Sequence, residues 1–535
     1  MKESPLKKLR VVVALVCFGL TVLVFLGFHA VTPPAVSEPV VYLQFLPSLV
    51  KYINMATLTA AGFLLVLLIT LLFGRVFCST VCPLGTLQDI IIHLAERVKR
   101  PRRVRFRYKK PRNMLRYGVL LMTAIIFLQG SLLAVNLLDP FSNFGRLFAD
   151  LLRPVYIGFS NLAAHTLELF DSYAIRPLTW NPPAPVTLLF PLLFLAVLSW
   201  LSANKGRLFC NTLCPVGSLL GLVAKFAVFK ITIAKDACTL CGDCSINCKA
   251  HCIRLKTQAV DFSRCIACFN CISVCPEMGI GYKSRPPSSQ SPVARQGKSI
   301  SPHPATRRDH PQGVTDASKR AFIGKSFLYL AGLTGLIQAI QARDKLPVLN
   351  DQNPVTPPGS QSIDHFTHTC TACHLCVSAC PTQVLQPAFL EYGLSGMLQP
   401  RMDYQLSFCN FECTLCSQLC PTGAILPLSK ETKQTTQLGI AKFLNEKCIV
   451  YTDQTACGAC AEHCPTKAVQ MIPYQNNLTI PEVRETICIG CGACEYACPV
   501  RPQRAIYVAG HLLHLAAQPP EMKPLKVDIR KDFPF

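Results

Sequence analysis

The sequence predicts a multi-domain chain: an α-helical transmembrane unit with small, cysteine-rich α+β domains on both sides of a linker. Three observations carry this. Apolar stretches long enough to cross a bilayer recur between residues 11 and 202. Six cysteine runs of nearly one pattern follow, two before and four after residues 283–316. That intervening stretch is rich in Ser, Pro, Gln, Arg and Lys and almost free of large apolar side chains, so it cannot bury a core and reads as a tether.

The chain has 535 residues, half of them hydrophobic, and 30 cysteines. Such cysteine usage implies a disulfide framework or metal ligation. Regular spacing in 24 of them favours ligation. The net charge of +23 raises the question of nucleic acid. Eleven of the basic residues crowd into Arg97–Arg116 between two apolar spans, however, and a cytoplasmic loop obeying the positive-inside rule accounts for them. No nucleic-acid recognition fold is visible, and nucleic acid is not expected as a partner.

Residues 1–230 form the expected membrane unit. Lys2, Lys7, Lys8 and Arg10 precede an apolar run from Val11 to Val31, about the 20 residues a span needs. It reads as an uncleaved first span with a cytoplasmic N-terminus. Further spans are expected at Met55–Phe77, Gly118–Leu138 and Val186–Ser202. Gly145–Phe170 is apolar but broken by Arg153-Pro154, His165 and Glu168, and is expected to lie at the outer interface.

The second and fourth spans end alike, in Gly74-Arg75-Val76-Phe77-Cys78 … Cys82-Pro83-Leu84-Gly85 and Gly206-Arg207-Leu208-Phe209-Cys210 … Cys214-Pro215-Val216-Gly217. This internal repeat predicts pseudo-twofold symmetry. Cys78, Cys82, Cys210 and Cys214 are either structural turn residues or ligands of a further metal centre where the copies meet; four thiolates suit iron–sulfur or zinc. A reducing cytoplasm disfavours disulfides there.

Paired Cys-x3-Cys-Pro motifs on a four-span unit, followed by a pair of dense cysteine runs, resemble a membrane ferredoxin family over about residues 55–280. It includes the membrane subunit of the quinol-dehydrogenase module of periplasmic nitrate reductase (NapH type), with relatives in methylamine oxidation (MauN type), nitrous-oxide respiration and copper-oxidase assembly.

Residues 231–283 read as a cytoplasmic two-cluster ferredoxin of the bacterial type. Its motifs are Cys238-x2-Cys241-x2-Cys244-x3-Cys248 and Cys265-x2-Cys268-x2-Cys271-x3-Cys275-Pro276. In such domains the fourth cysteine of each run ligates the other cluster. One [4Fe-4S] centre then takes Cys238, Cys241, Cys244 and Cys275, and the other takes Cys265, Cys268, Cys271 and Cys248. Lys249 stands where the pattern has proline. Nearby Cys252 is a substituted ligand or a spare thiol, the latter being favoured.

The linker is expected over 284–318 and a fifth hydrophobic segment over 319–342. The run Ser318-Lys319-Arg320-Ala321-Phe322-Ile323-Gly324-Lys325 looks like a twin-arginine export signal with Lys319 in place of its first arginine. An amphipathic surface helix is the alternative. A crossing here would put residues 343–535 outside the cytoplasm, with Lys319 and Arg320 on the inner flank.

Four more motifs follow: Cys370, Cys373, Cys376, Cys380; Cys409, Cys413, Cys416, Cys420; Cys448, Cys457, Cys460, Cys464; and Cys488, Cys491, Cys494, Cys498. They suit four further [4Fe-4S] clusters, making six. Residues 365–510 resemble the four-cluster periplasmic partner of the same module (NapG type, and its methylamine relative MauM). That resemblance implies exchange of fourth cysteines between the first and fourth motifs and between the second and third. Cys370-Thr371-Ala372-Cys373-His374 matches the c-type haem motif, but both cysteines are needed for the ferredoxin run.

No nucleotide-binding glycine loop or catalytic triad is evident. The parts imply an inner-membrane electron conduit. It is expected to pass electrons between the quinone pool and a periplasmic redox enzyme or cytochrome, as an electron-carrying component of a quinol dehydrogenase. Two other classes fit the same parts: an accessory redox protein for maturing or reactivating a metalloenzyme, and a redox-sensing membrane anchor.

Overall fold

The computed structural model describes residues 4–26, 34–57, 60–98, 106–175, 177–178, 181–284 and 353–519. The expected linker (apart from Ser284) and the twin-arginine-like segment fall in 285–352, outside the described residues.

Two helices are long and apolar enough to cross a membrane, Pro5–Leu26 and Pro185–Lys205. At 1.5 Å per residue each is about 32 Å long, against a hydrocarbon core of about 30 Å. The other two expected spans are divided. In Met55–Phe77, one helix ends at Met55, Ala56 turns left-handed at φ 49°, and a second helix runs Gly62–Phe73. In Gly118–Leu138, the Asn113–Leu128 helix stops, Gly130 takes φ 86°, and a new helix covers Leu133–Leu138. Hydropathy continues across both breaks, but a left-handed residue cannot continue a right-handed helix.

Gly145–Phe170 also differs from expectation, because its first six residues, 145–150, are buried. Helix Pro140–Arg146 passes through one π-helical turn, Leu147–Leu152, into helix Arg153–Glu168. Phe144 packs edge-on against Phe18 (5.6 Å) and Phe25 (5.9 Å) of the first helix. Arg153-Pro154, which reads as a break, sits at the join between the π-helical turn and the helix Arg153–Glu168, so the helical run continues through it.

The cysteine-rich domains are built from two-stranded antiparallel sheets and one-turn helices. In the first, Phe229–Ile233 pairs with Ile280–Ser284, placing Ile231 opposite Tyr282. The domain therefore begins just inside the expected 1–230 unit. In the second, Thr436–Phe443 pairs with Ile506–Ala516, Val469–Pro473 with Thr479–Val483, and Leu385–Pro387 with Pro400–Met402.

These two domains dock at opposite ends of the Pro5–Leu26 helix. Near its start, Arg10 donates to Asp89 (3.0 Å), and Asp89 also pairs with Lys249 of the first domain (3.2 Å). That domain is held further by Tyr282 Oη donating to the Phe73 carbonyl and by buried Arg116 donating to the Ser263 carbonyl, both at 2.8 Å. Near the other end, Phe25 and the carbonyl of Cys373 close around Gly145, where a Cβ would collide with both. From residue 10 to residue 25 the helix rises about 22 Å.

Candidate electron-transfer centres

Each cysteine run supplies three thiols to one site, and the partner run supplies the fourth. In the first domain one cavity is lined by Cys238, Cys241, Cys244 and Cys275. A second is lined by Cys248, Cys265, Cys268 and Cys271, with Cys252 beside them. The structure thus brings together both sets expected from the spacing. Among the described residues no three His, Cys, Asp or Glu side chains stand close enough for a single metal ion. Four thiols around a cavity fit a cluster, which spreads its ligands over several irons.

The four C-terminal runs pair differently from the expectation. One cavity is lined by Cys409, Cys413 and Cys416 together with Cys380 of the run before. Cys376 feels the charges of Cys370, Cys373 and Cys420. Cys460 feels Cys457, Cys448 and Cys498, while Cys494 feels Cys491, Cys488 and Cys464. Fourth cysteines are therefore exchanged between the first and second runs and between the third and fourth, not first with fourth and second with third. The physical reason is local. The one-turn helices Leu375–Ala379 and Leu415–Leu419 pack on each other, as do Ala459–Glu462 and Ala493–Ala497, so each consecutive pair closes as one unit.

Both strings have an order. In the C-terminal domain Cys373 lies against the N-terminal helical unit at Gly145. Cys409 N–H donates to the Cys491 carbonyl at 2.9 Å, joining the second run's site to the fourth's. In the first domain Cys241 is exposed, whereas the Cys248 site lies inward, with Cys268 feeling Arg10 and Lys249 pairing with Asp89.

The repeated Cys-x3-Cys-Pro motifs converge. Cys214 feels Cys210, Cys82 and Cys78, so all four thiols share one buried place. Two wholly buried arginines cross between the copies. Arg75 Nη2 donates to the Cys210 carbonyl at 3.1 Å, and Arg207 Nη1 donates to the Cys78 carbonyl at 3.0 Å. Gly217 and Gly85 make room for these crossings: a Cβ at either would strike the carbonyl and the arginine together.

The symmetry breaks in charge. Arg207 has Asp89 at 2.8 Å. Burial pushes the Asp89 carboxyl up, but Arg207, Lys249 and Arg10 outweigh it and hold the group well below the usual carboxylate range. Arg75 has no carboxylate partner among the described residues. It meets Asn211 Oδ1 at 2.7 Å and the sulfur of Cys78 at 3.7 Å, and the charges acting on it are those of Cys78, Cys210 and Cys214. An unpaired buried cation costs several kcal/mol. Burial pushes the Cys82, Cys210 and Cys214 thiols up, which disfavours their bare thiolates. Metal ligation makes thiolates outright and removes the mismatch. Four thiols in one buried place suit a cluster, which spreads its ligands over several irons, rather than a single ion.

His374 is engaged at both ring nitrogens, Nδ1 with Asp150 at 3.0 Å and Nε2 with the Leu398 carbonyl at 2.8 Å. Both side chains are buried. The haem-like motif therefore offers no free histidine. Its histidine instead ties the C-terminal domain to the π-helical turn, supported by Asn181 N–H donating to Gln383 Oε1 at 2.8 Å. Sequence reasoning did not single out Asp150 or Asp89. The Gly-Arg doublets at 74–75 and 206–207 were visible in the repeat but carried no assigned role.

Residues 55–102 and 185–234 match the family model of a 4Fe-4S binding domain, and 369–424 and 455–501 match that of a 4Fe-4S dicluster domain. Each dicluster match fits a consecutive pair of runs. The chain is 29% identical over 159 residues to the ferredoxin-type protein NapF of Escherichia coli (strain K12), covering 30% of this chain and 88% of that protein. It is 33% identical over 142 residues to the methylamine utilization ferredoxin-type protein MauM of Methylobacillus flagellatus, covering 25% and 59%. To the ferredoxin-type protein NapG of Escherichia coli (strain K12) it is 31% identical over 145 residues, covering 25% and 62%. No solved structure matches. The chain is an iron–sulfur electron-transfer protein with several ferredoxin-type 4Fe-4S domains, related to these Nap and Mau proteins.

Proposed function

We propose that this chain conducts electrons across a membrane, between the quinone pool and a periplasmic redox enzyme or cytochrome. The 24 cysteines of the six runs hold six [4Fe-4S] clusters, and Cys78, Cys82, Cys210 and Cys214 hold a seventh metal centre. Four-iron clusters supply one-electron exchange when bound. The protein's part is placement: the exchanged fourth cysteines lock neighbouring sites together, and burial keeps water from the sulfurs.

The observation that carries the reading is the docking of two ordered thiol strings at opposite ends of a membrane-length helix. An inner string runs from Cys241 through the Cys248 site to the arginine-crossed thiols. An outer string runs from Cys373 through the Cys409 and Cys491 sites to Cys457. Between them, Phe18, Phe25, Phe144 and Phe148 fill the interior. In this reading a quinone in the bilayer links the strings.

The purified chain, given a reduced quinol in detergent, should show reduced-cluster spectra within a turnover time. Absence of reduction by quinol, with full reduction by dithionite, would sink the quinone link. Iron analysis should find about 28 Fe per chain with the seventh centre and about 24 without it. Protease added to spheroplasts should remove the chain beyond about residue 345, and full protection would refute the outward placement of the C-terminal domain.

The four-thiol centre with its crossed arginines also favours a second reading, an accessory protein that delivers electrons to a metalloenzyme under maturation. Substituting its cysteines would then abolish maturation and leave respiration intact.

A further inference from the structure

The surface beside Cys241 has a composition that conduction through the membrane does not require. A groove open to solvent is lined on one side by Arg107, Tyr108 and Lys110 and on the other by Arg254 and Lys256. Its floor is Gly242 and Ser245, which belong to the Cys238–Cys248 run itself. The four basic side chains are exposed. Arg254 is held in place, donating to Tyr108 Oη at 2.7 Å with its guanidinium stacked 5.1 Å from the ring centroid. Asp243 is the carboxylate of the loop. Cys241 is the exposed cysteine among the 29 others, each of which is buried or partly so.

A basic groove beside the most exposed thiol site, with Arg254 fixed on Tyr108, suits a particular occupant. We infer that this groove docks a soluble, acidic one-electron carrier protein, which exchanges electrons with the centre at Cys238, Cys241, Cys244 and Cys275. The inference rests on the cluster reading above and adds a port at the inner end of the conduit. The step is simple: the carrier loses one electron, the centre gains it, and no bond or proton moves. Opposite charge speeds such encounters and orients them, and salt screens the effect. Anionic lipid headgroups would also suit basic side chains. The groove floor, made from the ligand-bearing loop, favours a redox partner, because a lipid gains nothing from proximity to the centre.

The test uses the full chain with its clusters in neutral detergent. The probes are a reduced two-cluster ferredoxin of net negative charge and reduced methyl viologen, a small cation. Cluster reduction is read by stopped-flow absorbance and electron paramagnetic resonance. In the doubly substituted Arg254→Glu, Lys256→Glu chain, the rate with ferredoxin should fall at least tenfold. Raising salt from about 50 to about 300 mM should slow the unsubstituted chain by a similar factor. Reduction by viologen should not fall in either case. Equal ferredoxin rates in both chains would overturn the docking site. If the substitutions instead removed only binding of a short-chain anionic phospholipid, the groove would belong to headgroups, and the inference would fail. If viologen reduced no centre at these cysteines even in the unsubstituted chain, the cluster reading would fail, and the port with it.

Discussion

Arg75 reaches across 135 residues of sequence to donate to the backbone carbonyl of Cys210, at 3.1 Å and wholly out of solvent. Arg207 makes the mirrored bond to Cys78. Each copy of the repeat thus carries the cation that closes the other. With no carboxylate opposite Arg75 among the described residues, the thiolates of the proposed metal centre at Cys78, Cys82, Cys210 and Cys214 would supply its counter-charge.

Substituting Arg75→Met should remove that centre while sparing the six ferredoxin-type sites, whose ligands it does not touch. Iron should fall by about four per chain if the centre is a four-iron cluster. Arg75→Lys should retain part of it, since lysine keeps the charge but not the forked geometry. Unchanged iron in Arg75→Met would contradict the argument.

Cys252 is the fifth thiol at the Cys248 site, with its sulfur 3.4 Å from that of Cys248. Placed there, its S–H can donate to a ligating sulfur, and such bonds set cluster potentials. Donation stabilises the reduced, more negative state. Cys252→Ala should therefore shift one cluster to lower potential in a redox titration followed by electron paramagnetic resonance, with the iron count unchanged. A lost cluster would make Cys252 a ligand instead.

The Asp150–His374 pair latches the C-terminal domain to the N-terminal helical unit. Leaving a buried hydrogen-bonding group without its partner costs about 1–3 kcal/mol. Asp150→Ala should thus speed proteolytic release of the C-terminal domain while its four clusters keep their spectra. Asp150→Asn, which can still accept from His374, should be milder. Equal cleavage rates in all three chains would dismiss the latch.

His514 lies in the Ile506–Ala516 strand, with Nε2 2.8 Å from Thr356 Oγ1, and burial lowers its pKa to about 4. The unfolded side chain titrates near 6.5, so between these values the unfolded chain binds more protons. Stability of the C-terminal domain is therefore full above about pH 6.5 and declines as pH falls towards 4, by at most about 3 kcal/mol. Urea unfolding at pH 7 and pH 5 should show the loss, and His514→Gln should flatten it.

The cysteine grammar was legible in the sequence because ligand spacing within a run is a local property. Three thiols close in sequence and a fourth beyond them need no tertiary information, and neither did the repeat that put Cys78, Cys82, Cys210 and Cys214 on one footing. Hydropathy likewise located the apolar stretches. It could not locate their breaks, since Ala56 and Gly130 end helices through backbone conformation rather than polarity.

Only the tertiary structure decided which run lends its fourth cysteine to which, because that depends on how the one-turn helices pack. It alone brought Asp89 to three cations and Asp150 to His374, pairs separated by up to 224 residues. Buried charge is costly unless matched, and the match is made in space between groups that no sequence pattern sets side by side.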